Sequence, residues 1–342
     1  MYYIKKTLLV SLLTAATCVF YACSSDAPEI TSPKNPQEVE FVTADVSRAV
    51  TSNINYIGSR FALFGDMKYS TGSPVEIFRN VEVKYNGDAW NYAGTQYWFP
   101  NHEHSFVAIY PAEVFKNDDG ARYVNSRLSF SYTIPTTDGA ILDKDGTLDL
   151  LVATHRRMYN AGGDNTIFLR FGHLMSLINF APAFSDNLLS DDAYILLHRL
   201  ELLEIATQAR FDILPASRQS GNQTDDMEVD VTTQETDNPA MTFTTPVKVK
   251  NHAESTNLFA LADALIMLPQ SFSAESEAKI VFYYSINEET TMRQVELPLN
   301  NQRWELNNRY TYKFTIERSG LKLDQCEINP WTEIKGDHIV VD

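Results

Sequence analysis

Apolar side chains at every second position, in short runs closed by Gly, Asn, Asp or Pro, constrain this chain more than any other feature. A strand sends successive side chains to opposite faces, so such runs build half-buried strands rather than amphipathic helices. Residues 80–100 are the clearest case. Val81, Val83 and Tyr85 alternate with polar residues, Asn86-Gly87 supplies a type I′ turn, and Trp90, Tyr92 and Tyr97 lie on the return side. Residues 105–110 stop at Pro111, and residues 127–134 stop at Pro135. Residues 278–286, 294–299 and 310–317 repeat the pattern, with Asn300-Asn301 and Asn307-Asn308 marking turns. Short strands at this spacing favour a β-sandwich over a parallel α/β sheet. Residues 191–213 read equally well as a helix or as a pair of buried strands. Their acids could cap a helix, but their apolar residues are too continuous for one amphipathic face.

At 342 residues the chain has room for one large domain or two, and for a core that needs no disulfide framework. Two polar breaks interrupt the strand pattern, at 159–165 and 216–239. The first suggests a domain boundary near residue 160; the second reads as a long acidic loop within the later half. No internal repeat is legible.

The first 22 residues carry Lys5 and Lys6, then no charge from 7 to 22. A short basic segment before a brief apolar stretch is the pattern of an export signal. The stretch is too short for a good membrane span, and the rest of the chain has no run of 18 apolar residues. Phe20-Tyr21-Ala22-Cys23-Ser24-Ser25-Asp26 resembles a lipobox, in which Cys23 is acylated and becomes the first residue. A plain secretory signal with an incidental Cys23 is the bland alternative. Residues 23–38, with three prolines and little that is apolar, read as a flexible tether. Cys326, the one cysteine outside the N-terminus, reads as a core residue.

With 28 basic against 44 acidic residues the chain carries a net charge of −16, which argues against nucleic acid as a partner. It has no Gly-rich phosphate loop, Rossmann fingerprint, Gly-x-Ser-x-Gly elbow or Cys-x-x-Cys pair, so no catalytic residue and no cofactor is assigned. His102-Glu103-His104 offers two metal-type ligands without a third and reads as a solvated loop. Asp143-Lys144-Asp145-Gly146 resembles the opening of a calcium loop. Its glycine stands at the fourth place rather than the sixth, and Thr154 stands where a bidentate Glu belongs, so a turn before a strand is the better reading. No metal site is assigned. The aromatic residues could line a sugar groove, but aromatics at period two more often fill a sandwich core.

The order of several segments resembles the fimbrillin family of surface pilus subunits from Gram-negative anaerobes. After the signal at Cys23 come Val39-Glu40-Phe41 and Val46-Ser47-Arg48-Ala49-Val50, then Ala89-Trp90-Asn91-Tyr92 and Tyr97-Trp98-Phe99-Pro100. The run FVAIYP follows at 106–111, and Asp149-Leu150-Leu151-Val152-Ala153 precedes residues 167–180, which include Phe171, His173 and Ser176. Ile266-Met267-Leu268-Pro269-Gln270 leads a later strand, and Ile328-Asn329-Pro330-Trp331 closes the pattern.

The resemblance implies an all-β fold of two tandem transthyretin-like β-sandwich domains with Greek-key strands, at 39–160 and 161–342. It favours strands for residues 191–213 and a structural role for His173. It further implies a non-enzymatic fimbrial subunit, exported as a lipoprotein, anchored in the outer membrane through lipid on Cys23 and exposed at the surface. In such subunits an Arg-specific protease cuts after the first strand, and Arg48-Ala49 matches that site. The groove so opened takes a strand from another subunit, which makes other fimbrial subunits the partners by β-strand addition. Arg60 is a rival site, but Phe61, Leu63 and Phe64 after it look like a core strand. Residues 339–341 are a candidate donor. A host protein or glycan is the candidate adhesion partner, and a glycan-binding surface lipoprotein with an exposed aromatic platform is the alternative function. A secreted hydrolase with paired carboxylates has no motif behind it.

Overall fold

A computed structural model describes residues 37–43, 60–69, 72–86, 89–115, 120–137, 140–141, 149–159, 166–185, 194–216, 227–249, 264–287 and 289–331. Among them are 24 strands, no α-helix and one short 3-10 turn at Ala112–Phe115. The early strands are β1 (Phe41–Thr43), β2 (Arg60–Tyr69), β3 (Val75–Tyr85), β4 (Trp90–Tyr92) and β5 (His102–Tyr110). Next come β6 (Arg122–Val124), β7 (Arg127–Thr133), β8 (Thr136–Thr137), β9 (Ala140–Ile141) and β10 (Leu151–Met158). The middle of the chain forms β11 (Ile167–Leu169), β12 (Gly172–His173), β13 (Ser176–Phe184), β14 (Ile195–Leu203) and β15 (Ile205–Pro215). Then follow β16 (Met227–Asp237), β17 (Ala240–Val249), β18 (Leu265–Met267), β19 (Gln270–Ser271) and β20 (Lys279–Ile286). The last are β21 (Arg293–Pro298), β22 (Arg303–Trp304), β23 (Asn308–Glu317) and β24 (Gly320–Pro330).

A six-stranded sheet in the order β12-β10-β5-β2-β3-β4 organises the first half. Its central strands are buried on both faces, and their alternate side chains enter two different cores. Phe61, Leu63, Phe106, Ala108, Leu151 and Ala153 point into the smaller one. Ala62, Phe64, Val107, Ile109 and Val152 point into the larger one. This explains why 105–110 is nearly continuous in apolar residues, since a strand with no solvent face has no polar set to alternate. The larger core is closed by three further sheets, β16-β15-β7-β6, β21-β20-β14-β17-β9-β8 and β18-β13-β23-β24. Backbone pairing crosses residue 160 at Phe41↔Ile167, Leu151↔His173, Phe130↔Phe211 and Ala140↔Ala240. Any division of the chain near that residue has to carry these pairs across it.

Residues 195–215 are strands, as the resemblance favoured, but consecutive strands β14 and β15 belong to different sheets. The chain switches sheet at Glu204, whose φ is +54°. Its N–H is held by the Asn238 side chain at 3.0 Å. A bulge between Leu197 and Arg199 shifts the inward set, from Ile195 and Leu197 to Leu200 and Leu202. That shift is what blurred the period in the sequence.

Four readings need correction. Residues 227–237 are a strand rather than part of an acidic loop. As an edge strand, β16 keeps one face wet, and its polar residues follow from that position. In the hairpin of β3 and β4, Asn86 N–H donates to Ala89 O at 3.1 Å and Ala89 N–H to Asn86 Oδ1 at 2.9 Å. Asn86 therefore flanks the turn instead of occupying its centre. His102-Glu103-His104 opens β5 and is not a solvated loop: the pairing of β5 with β2 and β10 carries His104 to full burial. Cys326, expected in the core, is half-buried on edge strand β24 and packs against the larger core from its margin. Burial pushes its thiol up to about 11, which keeps it protonated and unreactive.

Asp66 joins two sheets. It is 2% exposed, and the Ser126 hydroxyl in the turn between β6 and β7 lies 2.9 Å from both of its carboxylate oxygens. Burial raises its pKa, and the bonds from Ser126 offset part of that. Asp66→Ala leaves that hydroxyl buried without its acceptor, at an expected cost of about 1–3 kcal/mol in urea denaturation. A loss within error would show that the turn re-pairs elsewhere.

Candidate functional site

The smaller core is completed by the N-terminal strand. Residues 37–39 bond to 96–98 on one side, with Trp98 N–H donating to Gln37 O at 2.9 Å and Val39 N–H to Gln96 O at 2.9 Å. From residue 40 the bonds turn to the other side, as strand geometry requires. Ile167 N–H donates to Glu40 O at 3.1 Å, and β1 continues as a parallel pair with β11. The Tyr92 hydroxyl donates to Val39 O at 3.0 Å and accepts from Gln96 N–H at 3.3 Å.

Two side chains of this segment point inward. Val39 is 1% exposed and Phe41 4%, while Glu38 and Glu40 face solvent. Phe41 sits in an aromatic cage, edge-on to Phe78 at 5.9 Å, Tyr92 at 5.9 Å and Phe106 at 5.7 Å. Edge-to-face rings favour this arrangement beyond simple burial. Burying the two side chains stabilises by about 1.5–3 kcal/mol each. The seat is thus a slot with backbone partners on both flanks and an apolar floor.

Trp98 and His104 line one end of the floor, with ring centroids 4.7 Å apart. Both are fully buried, and neither Trp98 Nε1 nor His104 Nε2 finds a hydrogen-bond partner among the described residues. Burial drives the His104 imidazole down to about 4, a shift reinforced by the charges of His102 and Arg157 and opposed by its bond to the His102 carbonyl. In the middle of the chain another buried histidine has an acidic partner. His173 Nδ1 lies 2.9 and 3.0 Å from the two oxygens of Asp149, and Trp331 stacks on its ring at 3.7 Å and 5°. Burial raises the Asp149 carboxyl, while His173 pulls it back. The cluster ties the start of β10, β12 and the end of β24 together. Asp149, His173 and Trp331 all lie in segments quoted above, but nothing in their spacing announces the contact.

Cys23, Arg48, Ala49 and residues 339–341 lie outside the described residues, as do 143–148. Arg60 begins β2, pairs with Lys84 and is bound by Glu82 at 3.5 Å and by Glu113. A backbone held in a ladder resists a protease that needs an extended, free segment. Among the described residues no three His, Cys, Asp or Glu side chains cluster as metal ligands. Surface ring pairs are tilted rather than coplanar: Tyr69 and His102 by 52°, Tyr85 and Trp90 by 45°. An open cleft of about 540 Å³ is lined by Leu203, Glu204, Asn238, Glu277, Lys279 and Asn300, with no aromatic surface for a sugar. No helix among the described residues is long and apolar enough to cross a membrane.

Comparison with known proteins bears on this arrangement. A family described as fimbrillin-like matches residues 47–331. A fimbrial protein from Bacteroides vulgatus ATCC 8482 superposes with a TM-score of 0.61 at 16% identity, covering 87% of this chain and 100% of that one. A Bacteroides uniformis ATCC 8492 protein, provisionally named for cell adhesion, gives 0.50 at 15% identity, covering 88% and 100%. At such identities the likeness speaks for the fold. No curated protein matches the chain. Because the family match spans most of the sequence and the all-β architecture agrees with it, the chain belongs to the fimbrillin-like family.

Proposed function

We propose that this chain is a fimbrial subunit that is exported as a lipoprotein through Cys23, cut after Arg48 by an Arg-specific protease, and assembled by strand exchange. Family membership supports the coarser part, a fimbrial protein of the cell surface that associates with other fimbrial subunits. The observation that carries the finer part is the N-terminal strand's seat. A short terminal strand fills a slot flanked by backbone and floored by Phe78, Tyr92 and Phe106, and the segment holding Arg48 follows it directly. A slot of that kind, once vacated, leaves unpaired N–H and C=O groups and an apolar floor, and an extended strand from a neighbouring subunit satisfies both. Lipid on Cys23 gives the precursor its attachment to the outer membrane. The adhesion ligand is a host protein or glycan.

The test uses purified precursor and a trypsin-like, Arg-specific protease. N-terminal sequencing is expected to return Ala49 and not Phe61, and the cut protein is expected to form oligomers on size exclusion that the uncut protein does not. If Ala49 never appears, or if cutting leaves the association state unchanged, strand exchange at this seat is wrong.

A further inference from the structure

We propose that the outer flank of β24 is a docking surface for a second copy of this chain, whose own β24 pairs antiparallel with it about a two-fold axis. The contact lies on the larger core and needs neither proteolytic cleavage nor the N-terminal seat.

β24 is the last strand of its sheet, and no strand among the described residues pairs with its outer flank. Its register with β23 sets Leu321, Leu323, Cys326 and Ile328 opposite Ile316, Phe314, Tyr312 and Tyr310. Opposed residues share a face of the sheet, so these side chains continue the core face of β23. Those on β23 are buried, yet Leu323 is 36% exposed and Ile328 59%. The sheet thus ends in an eleven-residue strand whose core-facing row is half open to solvent.

The backbone leads the same way. Trp331 N–H donates to Asn307 O at 2.7 Å. Counting back by twos from that bond turns Asn329, Glu327 and Gln325 toward β23 and leaves the N–H and C=O of Ile328 and Cys326 on the outer flank. Asp324 is a bulge, skipped between Gln325↔Lys313 and Leu323↔Phe314. Beyond it Leu323 and Leu321 again turn their backbone groups outward, because residues with side chains on one face present N–H and C=O to one flank. The outward positions are therefore 321, 323, 326 and 328, with a longer step at the bulge.

That irregular step selects the occupant. A regular strand matches one side of it and falls out of register on the other. An antiparallel second β24 has the same step in the same place, and one register fits. Leu321 then opposes the second copy's Ile328, and Leu323 opposes the second copy's Cys326. The same register sets Lys322 against the second copy's Glu327 on the other face, and the two-fold axis makes each contact twice. Within its own chain Lys322 pairs with Asp324 at 3.3 Å and Glu327 with Lys313 at 2.5 Å, so the new pairs join existing ones. A bulge and a lysine guard an edge against ordinary strands. A copy carrying the same bulge and the complementary acid passes that guard. Because a two-fold contact closes on itself, it joins two subunits side by side and cannot extend a fibre.

The experiment is sedimentation equilibrium on the purified, uncut chain. One strand pair buries less than the roughly 1,200 Å² of a standard interface, so a weak dimer is expected, with Kd on the order of 10–100 μM. Zero-length carbodiimide coupling, read by mass spectrometry of the dimer band, is expected to join Lys322 to Glu327. Within one strand those residues are about 16 Å apart, too far for a direct amide. Lys322→Glu and Ile328→Lys are each expected to raise Kd about tenfold or more without changing thermal unfolding, since both side chains are exposed. Glu327→Lys weakens association in the same way, and an equal mixture of the two charge variants is expected to recover it. A chain that stays monomeric overturns the proposal. If its Cys326 and Ile328 amides are then protected from hydrogen exchange, the chain's own residues cover the edge. A dimer that lacks the Lys322–Glu327 link and ignores both Lys322→Glu and Ile328→Lys forms elsewhere and overturns it too.

Discussion

Phe106→Ala is expected to lower stability by about 3–5 kcal/mol, the range for truncating a buried phenylalanine. Phe106 is fully buried and touches Phe41, Phe78 and Trp98 at 5.7, 5.9 and 6.0 Å between centroids. It fills space that the chain keeps clear for it. A Cβ on Gly65, at the bulge of β2, would come within 2.9 Å of the Phe106 ring. Truncation therefore leaves a cavity beneath the N-terminal strand that stiff neighbouring strands cannot close. Urea denaturation followed by tryptophan fluorescence measures the loss. Hydrogen exchange should in addition show the amides of Val39 and Ile167 opening more readily than those of β23, which belongs to the other core. Uniform acceleration across both cores would contradict a local role for this ring.

Stability is expected to fall as the pH drops from about 6.5 towards 4, and His104 is expected to cause most of that slope. Its imidazole titrates near 6.5 in the unfolded chain and at about 4 in the fold. Between those values the unfolded state binds the extra proton, so ΔG of unfolding rises with pH. The separation corresponds to about 3 kcal/mol, fully present above pH 6.5 and lost below 4. Asp66 and Asp149 act in the opposite sense, because their raised carboxyls hold protons in the fold that the unfolded chain has released. The observed slope is the sum of these effects, so the difference between wild type and His104→Leu is the quantity to measure. The variant should be flatter from pH 6.5 to 4 in denaturant titrations. Equal slopes would mean that His104 is hydrated in solution.

Alternation alone identified strands at β3, β7, β20, β21 and β23, because period two is a property of neighbours along the chain, while β5 was read from a short apolar run closed by Pro111. It failed where the period was broken by long-range partners. The bulge at His198 is set by β17 and β20, which lie far along the chain from β14. β16 looked like loop because an edge strand needs few apolar residues. His102-Glu103-His104 looked solvated because two histidines and an acid are polar, while burial of His104 comes from Trp98 and from the flanking strands β2 and β10. The seat of the N-terminal strand was legible as a pair of segments, Val39-Glu40-Phe41 and Tyr97-Trp98-Phe99, without the geometry that joins them.

The order of residues by itself determined the all-β class, the strand positions with clean alternation, and the kinship with fimbrillins, since each is carried by local pattern or by the succession of motifs. Only the tertiary structure decided which core each face of β2 and β5 enters, that His104 packs on Trp98 while His173 is paired with an acid, and that Phe41 closes a cage of three distant rings. Those outcomes depend on which strands become neighbours, and strand pairing joins residues whose separation along the chain bears no relation to their distance in space.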